Sequence, residues 1–306
     1  MSSLQDLRGV VVFVPTPFTS TDTVDADALS RQVDRVSGSD HVAALVVAGG
    51  VGEYHSLSVD EHVDVVEVAV HAAGGRKPVI VGTASDTGRS VTVARAVART
   101  GAAGMMVNPL AFVASTREQL IRHYGLVAEA GGCEIIAFGT TETRLSVEDI
   151  EALIDAVPAV TVYKDETGDV AEFQHIVRRL GDRLLPMNGM AEPMAAVYAA
   201  AGALATASGV ANAVAPASAA LWEASVAGDH DRVSRLSQAF FPLLELRSRV
   251  PGHTTAVLKA LINASHDSGF SVEVRPPLRA LDPNERQELV AALRSIQDLG
   301  EMSAEG

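Results

Sequence analysis

The stretch Ala159-Val-Thr-Val-Tyr-Lys164 is a short run of β-branched and aromatic residues that ends in a lysine. A run of this length and composition is typical of a buried strand. Seven similar runs occur along the chain, at residues 10–15, 43–48, 78–82, 104–107, 134–138, 184–187 and 204–207. A segment with helical character follows each of them. Eight such units, joined by right-handed crossovers, predict an α/β fold of the (β/α)8 TIM-barrel type.

The sequence beyond the eighth run predicts helices only, at residues 217–227, 229–247, 254–268 and 283–299. We therefore predict a barrel at residues 1–225 and a C-terminal helical extension at residues 226–306. An open, doubly wound sheet is the alternative. No Gly-x-Gly-x-x-Gly pattern follows the first run, however, so the sequence does not support dinucleotide binding.

The composition favours a globular protein with a large core. The 306 residues carry 38 acidic side chains against 24 of Lys and Arg, a net charge of −14, and 47% of them are hydrophobic. This acidic balance argues against nucleic acid and anionic membrane surfaces as partners, because both need a basic footprint. Residues 193–222 are uncharged but rich in Ala and Gly, which favours a buried segment over a membrane span. The lone Cys133 and a start unlike a signal peptide predict a reducing, cytoplasmic location.

Barrel enzymes carry their chemistry at the carboxyl ends of the strands, and this rule selects the candidate residues. It gives Thr16, Gly49 to Glu53, Thr83, Asn108, Thr140, Lys164, Asn188 and Ser208. Lys164 ends an apolar run, where burial would disfavour its ammonium form. A desolvated lysine can form a Schiff base with a carbonyl substrate. The alternative is a lysine that reaches into solvent beside Asp165.

A second candidate is the turn Gly49-Gly50-Val51-Gly52-Glu53. Glycines at a strand end allow backbone N–H groups to converge on a carboxylate or another oxyanion. An ordinary βα turn is the alternative. The nine histidines are dispersed, so we expect no metal site, and the sequence predicts no cofactor.

Together these motifs resemble the dihydrodipicolinate synthase/N-acetylneuraminate lyase family over nearly the whole chain. The resemblance rests on the Gly-Gly-Val-Gly-Glu turn, on Tyr-Lys-Asp-Glu-Thr-Gly-Asp around Lys164, and on five shorter matches. Those matches are Pro15-Thr-Pro-Phe18, Ser56-Leu-Ser-Val-Asp-Glu61, Ser208-Gly-Val-Ala-Asn212, Leu258-Lys-Ala-Leu261 and Arg275-Pro-Pro-Leu278. Within the family, the turn, the lysine motif and Arg275-Pro-Pro-Leu278 are most similar to the 5-dehydro-4-deoxyglucarate dehydratase branch.

The resemblance implies a Schiff-base-forming lyase that acts on a small 2-oxo acid, most similar to the dehydratase of a 5-dehydro-4-deoxyglucarate-like sugar acid. Lys164 would form the imine, and the amides of Gly50 and Val51 would hold the substrate carboxylate. The resemblance further implies a homo-oligomer, a dimer or a tetramer. Two alternatives stay open at this point: a pyruvate-dependent aldolase with a repurposed site, and a catalytically weakened barrel that acts as a binding protein.

The chain also departs from the family pattern. Val51 stands where the family has Thr, Phe138-Gly139 replaces a Tyr-Asn pair whose tyrosine is credited with proton transfer, and Asn108-Pro-Leu-Ala-Phe112 lacks the usual phenol. Loss of such acid–base help would be severe if nothing replaced it. Another hydroxyl (Thr140, Thr141 or Tyr54), a water molecule or a different reaction would account for the change. Alternation along the strand points Tyr163 away from Lys164.

We therefore predict two catalytic residues, Lys164 and Thr140. The predicted substrate-binding residues are Thr16, Gly49, Gly50, Val51, Phe138, Asn188 and Ser208. Arg144, a candidate carboxylate ligand, and Glu53 are each open to a structural interpretation: a solvent-exposed arginine at a helix start, and a carboxylate that caps neighbouring amides.

Overall fold

A computed structural model describes residues 3–108, 116–249, 252–266 and 269–303 of the chain. Eight parallel strands form a closed barrel in sequence order, each hydrogen-bonded to the next and β8 to β1. The strands are β1 (Gly9–Phe13), β2 (Ala44–Val47), β3 (Val79–Gly82), β4 (Gly104–Met106), β5 (Glu134–Thr140), β6 (Val160–Glu166), β7 (Leu185–Asn188) and β8 (Ala205–Ser208). The predicted (β/α)8 fold is confirmed.

Helices follow the strands and surround the barrel. They are α1 (Ala26–Ser37), α2 (Val59–Ala73), α3 (Thr87–Val97), α4 (Arg117–Gly131), α5 (Val147–Ala156), α6 (Val170–Leu180), α7 (Ala195–Ala200) and α8 (Ala211–Ala227). Short 3-10 helices lie at Leu4–Asp6, Tyr54–Ser56 and Glu192–Met194. Most of the helices begin with a side-chain cap; Ser58 and Ser146, for example, each form a capping box with the residue three positions on.

Two strands extend two residues beyond their predicted ends, and β1 stops two residues short of its predicted end at residue 15. The runs at 134–138 and 159–164 were expected to end at Phe138 and Lys164, but the ladder between β5 and β6 continues for two more residues. It pairs Phe138 with Lys164 and Thr140 with Glu166. The extension is polar in sequence, and its strand geometry comes from this pairing rather than from apolar periodicity. Lys164 therefore lies two residues inside the strand.

Alternation along the strands divides the core into two layers. The inner layer fills the barrel with side chains such as Val11, Ile80, Ile136 and Met187. The outer layer lies between the strands and the helices. At the amino ends of the strands, Leu4 and Leu7 join the inner layer. Glu134 accepts hydrogen bonds from Ser3 Oγ (2.8 Å) and the Leu4 amide (2.6 Å), which holds this N-terminal plug in place.

The C-terminal extension consists of α9 (His230–Ser248), α10 (His253–His266) and α11 (Pro283–Ser303). These helices pack on one another and on α8, which starts at Ala211, earlier than the predicted residue 217, and bends at Val214 ahead of Pro216. The division between residues 225 and 226 stays a prediction; it falls in the last turn of α8. Residues 109–112 of the fourth strand end and residues 267–268 of a predicted helix lie outside the described residues. Within the described part of the chain, no helix is long and apolar enough to cross a membrane.

Candidate active site

Lys164 points into the barrel near the carboxyl ends of the strands. Its neighbours in the ladder are Phe138 on β5 and Met187 on β7, both inner-layer residues. The side chain is 4% exposed, and its Nζ lies 3.6 Å from the centroid of the Phe138 ring and 5.2 Å from that of Phe13. Two aromatic faces thus surround an amine that water scarcely reaches, an arrangement that favours a nucleophile held away from solvent.

Glu166 is the ionic partner of this lysine. It lies two residues further along β6, on the same face of the strand, and its Oε2 accepts a hydrogen bond from Lys164 Nζ at 2.6 Å. The glutamate side chain is 43% exposed, so it connects the enclosed amine with the open mouth of the barrel. A carboxylate in this position can take a proton from the ammonium and return it. Sequence reasoning missed Glu166, although the period-2 spacing from Lys164 could have identified it.

Asp165, between these two residues, belongs to the outer layer. Its carboxylate accepts hydrogen bonds from Tyr163 Oη at 2.9 Å, from Tyr198 Oη at 2.5 Å and from the Thr167 backbone and hydroxyl. Burial raises the pKa of Tyr163, and the adjacent carboxylate raises it further. The interpretation of Lys164 as a solvent-exposed lysine beside Asp165 was therefore wrong, because alternation sends the two side chains to opposite faces. Tyr163 points away from Lys164, as predicted.

The same phenol explains the glycine at position 139. A Cβ built on Gly139 would lie 2.5 Å from Tyr163 Oη, so a larger residue there would displace the ring. The preceding residue, Phe138, places its ring against the inner layer, and its backbone N–H donates to Tyr124 Oη at 3.4 Å on the opposite face of the strand. Burial raises the pKa of Tyr124 to about 12, so this phenol stays protonated.

The glycine turn after β2, residues 49–53, lies beside Phe13, one of the two rings that surround Lys164. A Cβ on Gly49 would lie 3.8 Å from the Phe13 ring, and Val51 packs against the inner layer. Thr16 Oγ1 donates to the Gly52 carbonyl at 2.7 Å and fixes the turn to the end of β1. Among the described residues, no acceptor is bonded to the amides of Gly50 and Val51. Two free N–H groups next to each other in a turn can hold a carboxylate.

Close packing makes glycine necessary in and under this turn. A Cβ on Gly52 would lie 2.8 Å from the Ala48 amide nitrogen, and one on Gly82 of β3 would lie 2.6 Å from the Ala48 carbonyl oxygen. Ala48 itself has a φ of 49°. Such strained backbone persists where the surroundings determine it, and it occurs often at binding sites.

Glu53, which ends the turn, points away from the barrel mouth into a buried ion pair. Its Oε1 lies 2.5 Å from Nζ of Lys259 on α10, and both side chains are 0% exposed. Its Oε2 accepts from the backbone N–H of Arg275 at 3.0 Å. Burial lowers the pKa of Lys259 to about 8, while the glutamate opposes the shift. The contacts support the structural interpretation of Glu53, which fastens the turn to the C-terminal extension.

The remaining predicted residues have partners of their own. Thr140 faces inward, and its hydroxyl shares a 2.9 Å hydrogen bond with that of Thr143. Asn188 Nδ2 donates to Thr206 Oγ1 at 2.9 Å on the outer side of β7. Ser208 Oγ donates to Glu192 Oε1 at 2.5 Å. Exposed Arg144 donates to Asp169 at 3.1 Å.

The structure thus brings Lys164, Phe138 and the glycine turn together around Phe13, while the side-chain bonds of Asn188 and Ser208 lead elsewhere. Thr141 is exposed, and Tyr54 lies in the 3-10 helix that follows the turn. In the described part of the chain, no group of three or more His, Cys, Asp or Glu side chains could hold a metal ion.

Comparisons with known proteins agree with this geometry. Residues 6–296 match the dihydrodipicolinate synthetase family. The 5-dehydro-4-deoxyglucarate dehydratase of Pseudomonas putida is 31% identical over 293 residues, which cover 94% of this chain and 95% of that protein. Dihydrodipicolinate synthase from Aquifex aeolicus superimposes with a TM-score of 0.83 at 25% identity, over 95% of this chain and 98% of that one. The N-acetylneuraminate lyase of Proteus mirabilis has the same fold, with a TM-score of 0.85 at 23% identity over 95% and 98% of the two chains. The chain belongs to the dihydrodipicolinate synthetase family and is an enzyme of the lyase class.

Proposed function

We propose that this protein is a Schiff-base-forming lyase of a 2-oxo acid, and that it removes water from a sugar acid similar to 5-dehydro-4-deoxyglucarate. The observation that carries the proposal is the Lys164 amine, enclosed by two aromatic rings and hydrogen-bonded to one carboxylate inside the barrel mouth. The named function of the Pseudomonas putida relative supports the choice of substrate.

The glycine turn positions the substrate. The carboxylate next to the keto group accepts hydrogen bonds from the free amides of Gly50 and Val51, which places the carbonyl carbon before the Lys164 amine. Because these donors belong to the backbone, replacement of the usual threonine by Val51 leaves them in place. These amides stabilise the negative charge of the substrate carboxylate at the binding site, although the chain as a whole carries a net charge of −14.

The lysine then reacts as a nucleophile. Its amine adds to the keto carbon, and water leaves to give a protonated imine. The imine draws electrons from the neighbouring CH₂ group, which loses a proton and becomes an enamine. The electron pair of the enamine expels the hydroxyl on the next carbon, which departs with a proton as water. One molecule of water leaves the substrate in total, and the imine is hydrolysed to release the product.

Glu166 carries the protons in place of the missing phenol. Its Oε2 is already at hydrogen-bond distance from Lys164 Nζ, so it can free the amine and then protonate the departing hydroxyl of the carbinolamine. A carboxyl group has the capacity for both steps, whereas Phe138 has none. Thr140, opposite Glu166 in the ladder, is retained as the second predicted catalytic residue, and it would act through its hydroxyl once Thr143 releases it.

The imine can be trapped by borohydride, and this reaction tests the proposal. We expect the protein to gain the mass of one reduced 2-oxo acid per chain in the presence of the substrate, and the Lys164→Ala variant to gain none. An unchanged adduct in that variant, or no adduct in the parent protein, would overturn the proposal and favour a binding protein.

Product analysis then separates dehydration from aldol cleavage. Both reactions proceed through the same imine, but dehydration keeps the carbon chain attached to the imine carbon, whereas an aldolase releases pyruvate and an aldehyde. We expect no pyruvate. Its stoichiometric release would assign the chain to the aldolase alternative.

We further propose that the protein is a homo-oligomer. On α9, Phe240 and Leu243 are buried, but Phe241 between them is 64% exposed. A second copy that covered this ring would remove its apolar surface from water. Light scattering coupled to size exclusion would refute the proposal if it gave the mass of a single chain.

A further inference from the structure

Arg247 is a half-buried cation that the proposed chemistry does not use. It lies one residue before the end of α9, and this helix packs against the 3-10 helix Glu192–Met194 beyond β7. Nε and Nη1 of its guanidinium are buried, and neither has a hydrogen-bond partner among the described residues. An unpartnered charged donor is costly in a protein interior, so such a group points to a ligand that satisfies it.

The surroundings of the guanidinium place it at the mouth of the barrel. It lies within electrostatic reach of Glu192 and of Glu166, the carboxylate that is bonded to Lys164. Burial lowers the pKa of Arg247, and these two acids oppose the shift. Glu192 is held by Ser208 and Ser218 through Oε1, at 2.5 and 3.0 Å. Among the described residues Arg247 is paired with neither acid, and Glu192 Oε2 is likewise buried without a hydrogen-bond partner, so a ligand with both acceptor and donor atoms would satisfy the two groups.

We infer that Arg247 binds the second carboxylate of a dicarboxylic 2-oxo acid, the end of the substrate that lies farthest from the keto group. This inference rests on the proposed function, whose glucarate-like substrate has a carboxylate at each end, and it names the residue that recognises the distal one. The guanidinium is the side chain best suited to a carboxylate, because its N–H groups match the two oxygens in one plane. One carboxylate lies on the glycine turn, the keto carbon at Lys164 and the other carboxylate under α9, so the substrate spans the barrel mouth.

Two probes of equal chain length test the inference: 2-oxoadipate, which carries a distal carboxylate, and 2-oxohexanoate, which ends in a methyl group. Neither probe has a hydroxyl group, so hydrogen bonds between substrate hydroxyls and Glu192 do not contribute to the difference between them. With borohydride trapping and intact mass as the readout, we expect half-maximal adduct formation at a roughly thirty-fold lower concentration of 2-oxoadipate. The Arg247→Met variant should lose this preference and retain its reaction with 2-oxohexanoate. Arg247→Lys should keep part of it, because the charge remains.

Arg249→Met is the matched control. Arg249 directly follows the same helix and is paired with Glu288 at 2.7 Å on the surface, so its loss should leave the preference unchanged.

Equal trapping of both probes by the parent protein, or an undiminished preference in Arg247→Met, would overturn the inference and leave the imine chemistry standing. If neither probe nor the sugar acid forms an adduct that depends on Lys164, the proposed function itself fails. Thermal unfolding checks that Arg247→Met is folded: we expect a cooperative transition, because Nε and Nη1 of the guanidinium make no hydrogen bond within the described part of the chain.

Discussion

The protein contains two buried lysines, each paired with a glutamate, and they differ in how their partners meet solvent. Lys164 is 4% exposed and its partner Glu166 is 43% exposed, at a distance of 2.6 Å. Lys259 and Glu53 are both 0% exposed, at 2.5 Å. The first pair lies inside the barrel mouth, and the second lies between the glycine turn and the C-terminal extension.

The partner, rather than the lysine, makes the two sites different. Glu53 also binds the Arg275 backbone, and Lys259 donates to the Glu273 carbonyl at 2.5 Å, so both members of that pair are fixed by further bonds. Among the described residues the Glu166 side chain is hydrogen-bonded to Lys164 alone, and it can exchange protons with solvent at the mouth. Breaking a pair whose members are both buried (a closed pair) is costly because it leaves an uncompensated charge, whereas a pair with one solvent-exposed member suits proton transfer.

Removal of Lys164 should give the largest effect, and it should fall on activity alone. We expect Lys164→Met to lower turnover of the sugar acid at least about 10³-fold, since no other group can form the imine. The free energy of unfolding should change by less than about 1 kcal/mol, because Glu166 is left beside solvent and not buried. Steady-state kinetics and urea unfolding measure the two quantities. A large loss of stability here would erase the contrast between the two lysines.

Removal of Lys259 should lower stability and leave the chemistry at Lys164 intact. Lys259→Met leaves Glu53 as a buried, uncompensated charge, which costs about 3–5 kcal/mol of unfolding free energy. The folded fraction should still form the borohydride adduct at Lys164. The double variant Glu53→Gln/Lys259→Met removes both charges and should recover part of the loss. If the single and double variants are equally unstable, the pair is not what holds the extension in place.

Substitution of Glu166 separates its role as a proton carrier from a role in folding. We expect Glu166→Gln to slow imine formation and turnover by about 10²-fold, because the amide can hydrogen-bond but cannot take up the proton. The final yield of adduct at long times should be unchanged, as should Tm. Glu148→Gln, an exposed glutamate 3.6 Å from Arg179, is the control. Wild-type rates in Glu166→Gln would assign the proton transfer to another group, such as Thr140.

The smallest effect is a dependence of stability on pH. It arises at Arg275, whose backbone N–H donates to Glu53 of the closed pair. Arg275 binds Glu61 through Nη1 and Nη2, at 2.9 and 2.6 Å, and holds the pKa of that carboxyl at about 2, below its ordinary value of 4.5. Between these values the unfolded chain binds more protons than the folded one, so stability is lost as the pH falls from 4.5 towards 2. Because Glu61 is partly exposed, we expect about 1 kcal/mol from this group.

Urea unfolding at pH 5.5 and pH 3 measures the effect of Glu61. The Glu61→Gln variant should lose about 1 kcal/mol less than the parent protein between the two pH values. Glu67→Gln, on the exposed face of the same helix, serves as the control and should behave like the parent. Identical losses in all three proteins would contradict the role given to Arg275.

The strands of the barrel could be predicted because parallel strands are buried on both faces and form continuous apolar runs. The same runs identified Lys164 and the glycine turn at their carboxyl ends. The apolar runs did not reveal Glu166, since Asp165-Glu166 is polar in sequence and joins the strand through its pairing with Gly139 and Thr140 of β5; only the period-2 spacing from Lys164 pointed to it. The ion pair between Glu53 and Lys259 joins positions more than two hundred residues apart, and no local sequence pattern indicates such a contact.

The departures at β5 were visible in the sequence, but their cause was not. Gly139 is small because Tyr163 from the next strand fills its place, a contact that depends on the register between β5 and β6. No sequence pattern singles out Arg247; it is notable because its Nε and Nη1 are buried and have no acceptor among the described residues.

The N-terminal plug has a practical consequence for work on this protein. Leu4 and Leu7 close the barrel at the end opposite Lys164, and a Cβ on Gly104 would lie 2.5 Å from Leu4 Cδ1, so the plug fits closely against β4. With this end filled, substrate and product would both have to pass through the barrel mouth, at the carboxyl ends of the strands. An affinity tag or a surface linker attached ahead of Leu4 would face away from that opening, so an immobilised enzyme oriented in this way keeps its entrance free.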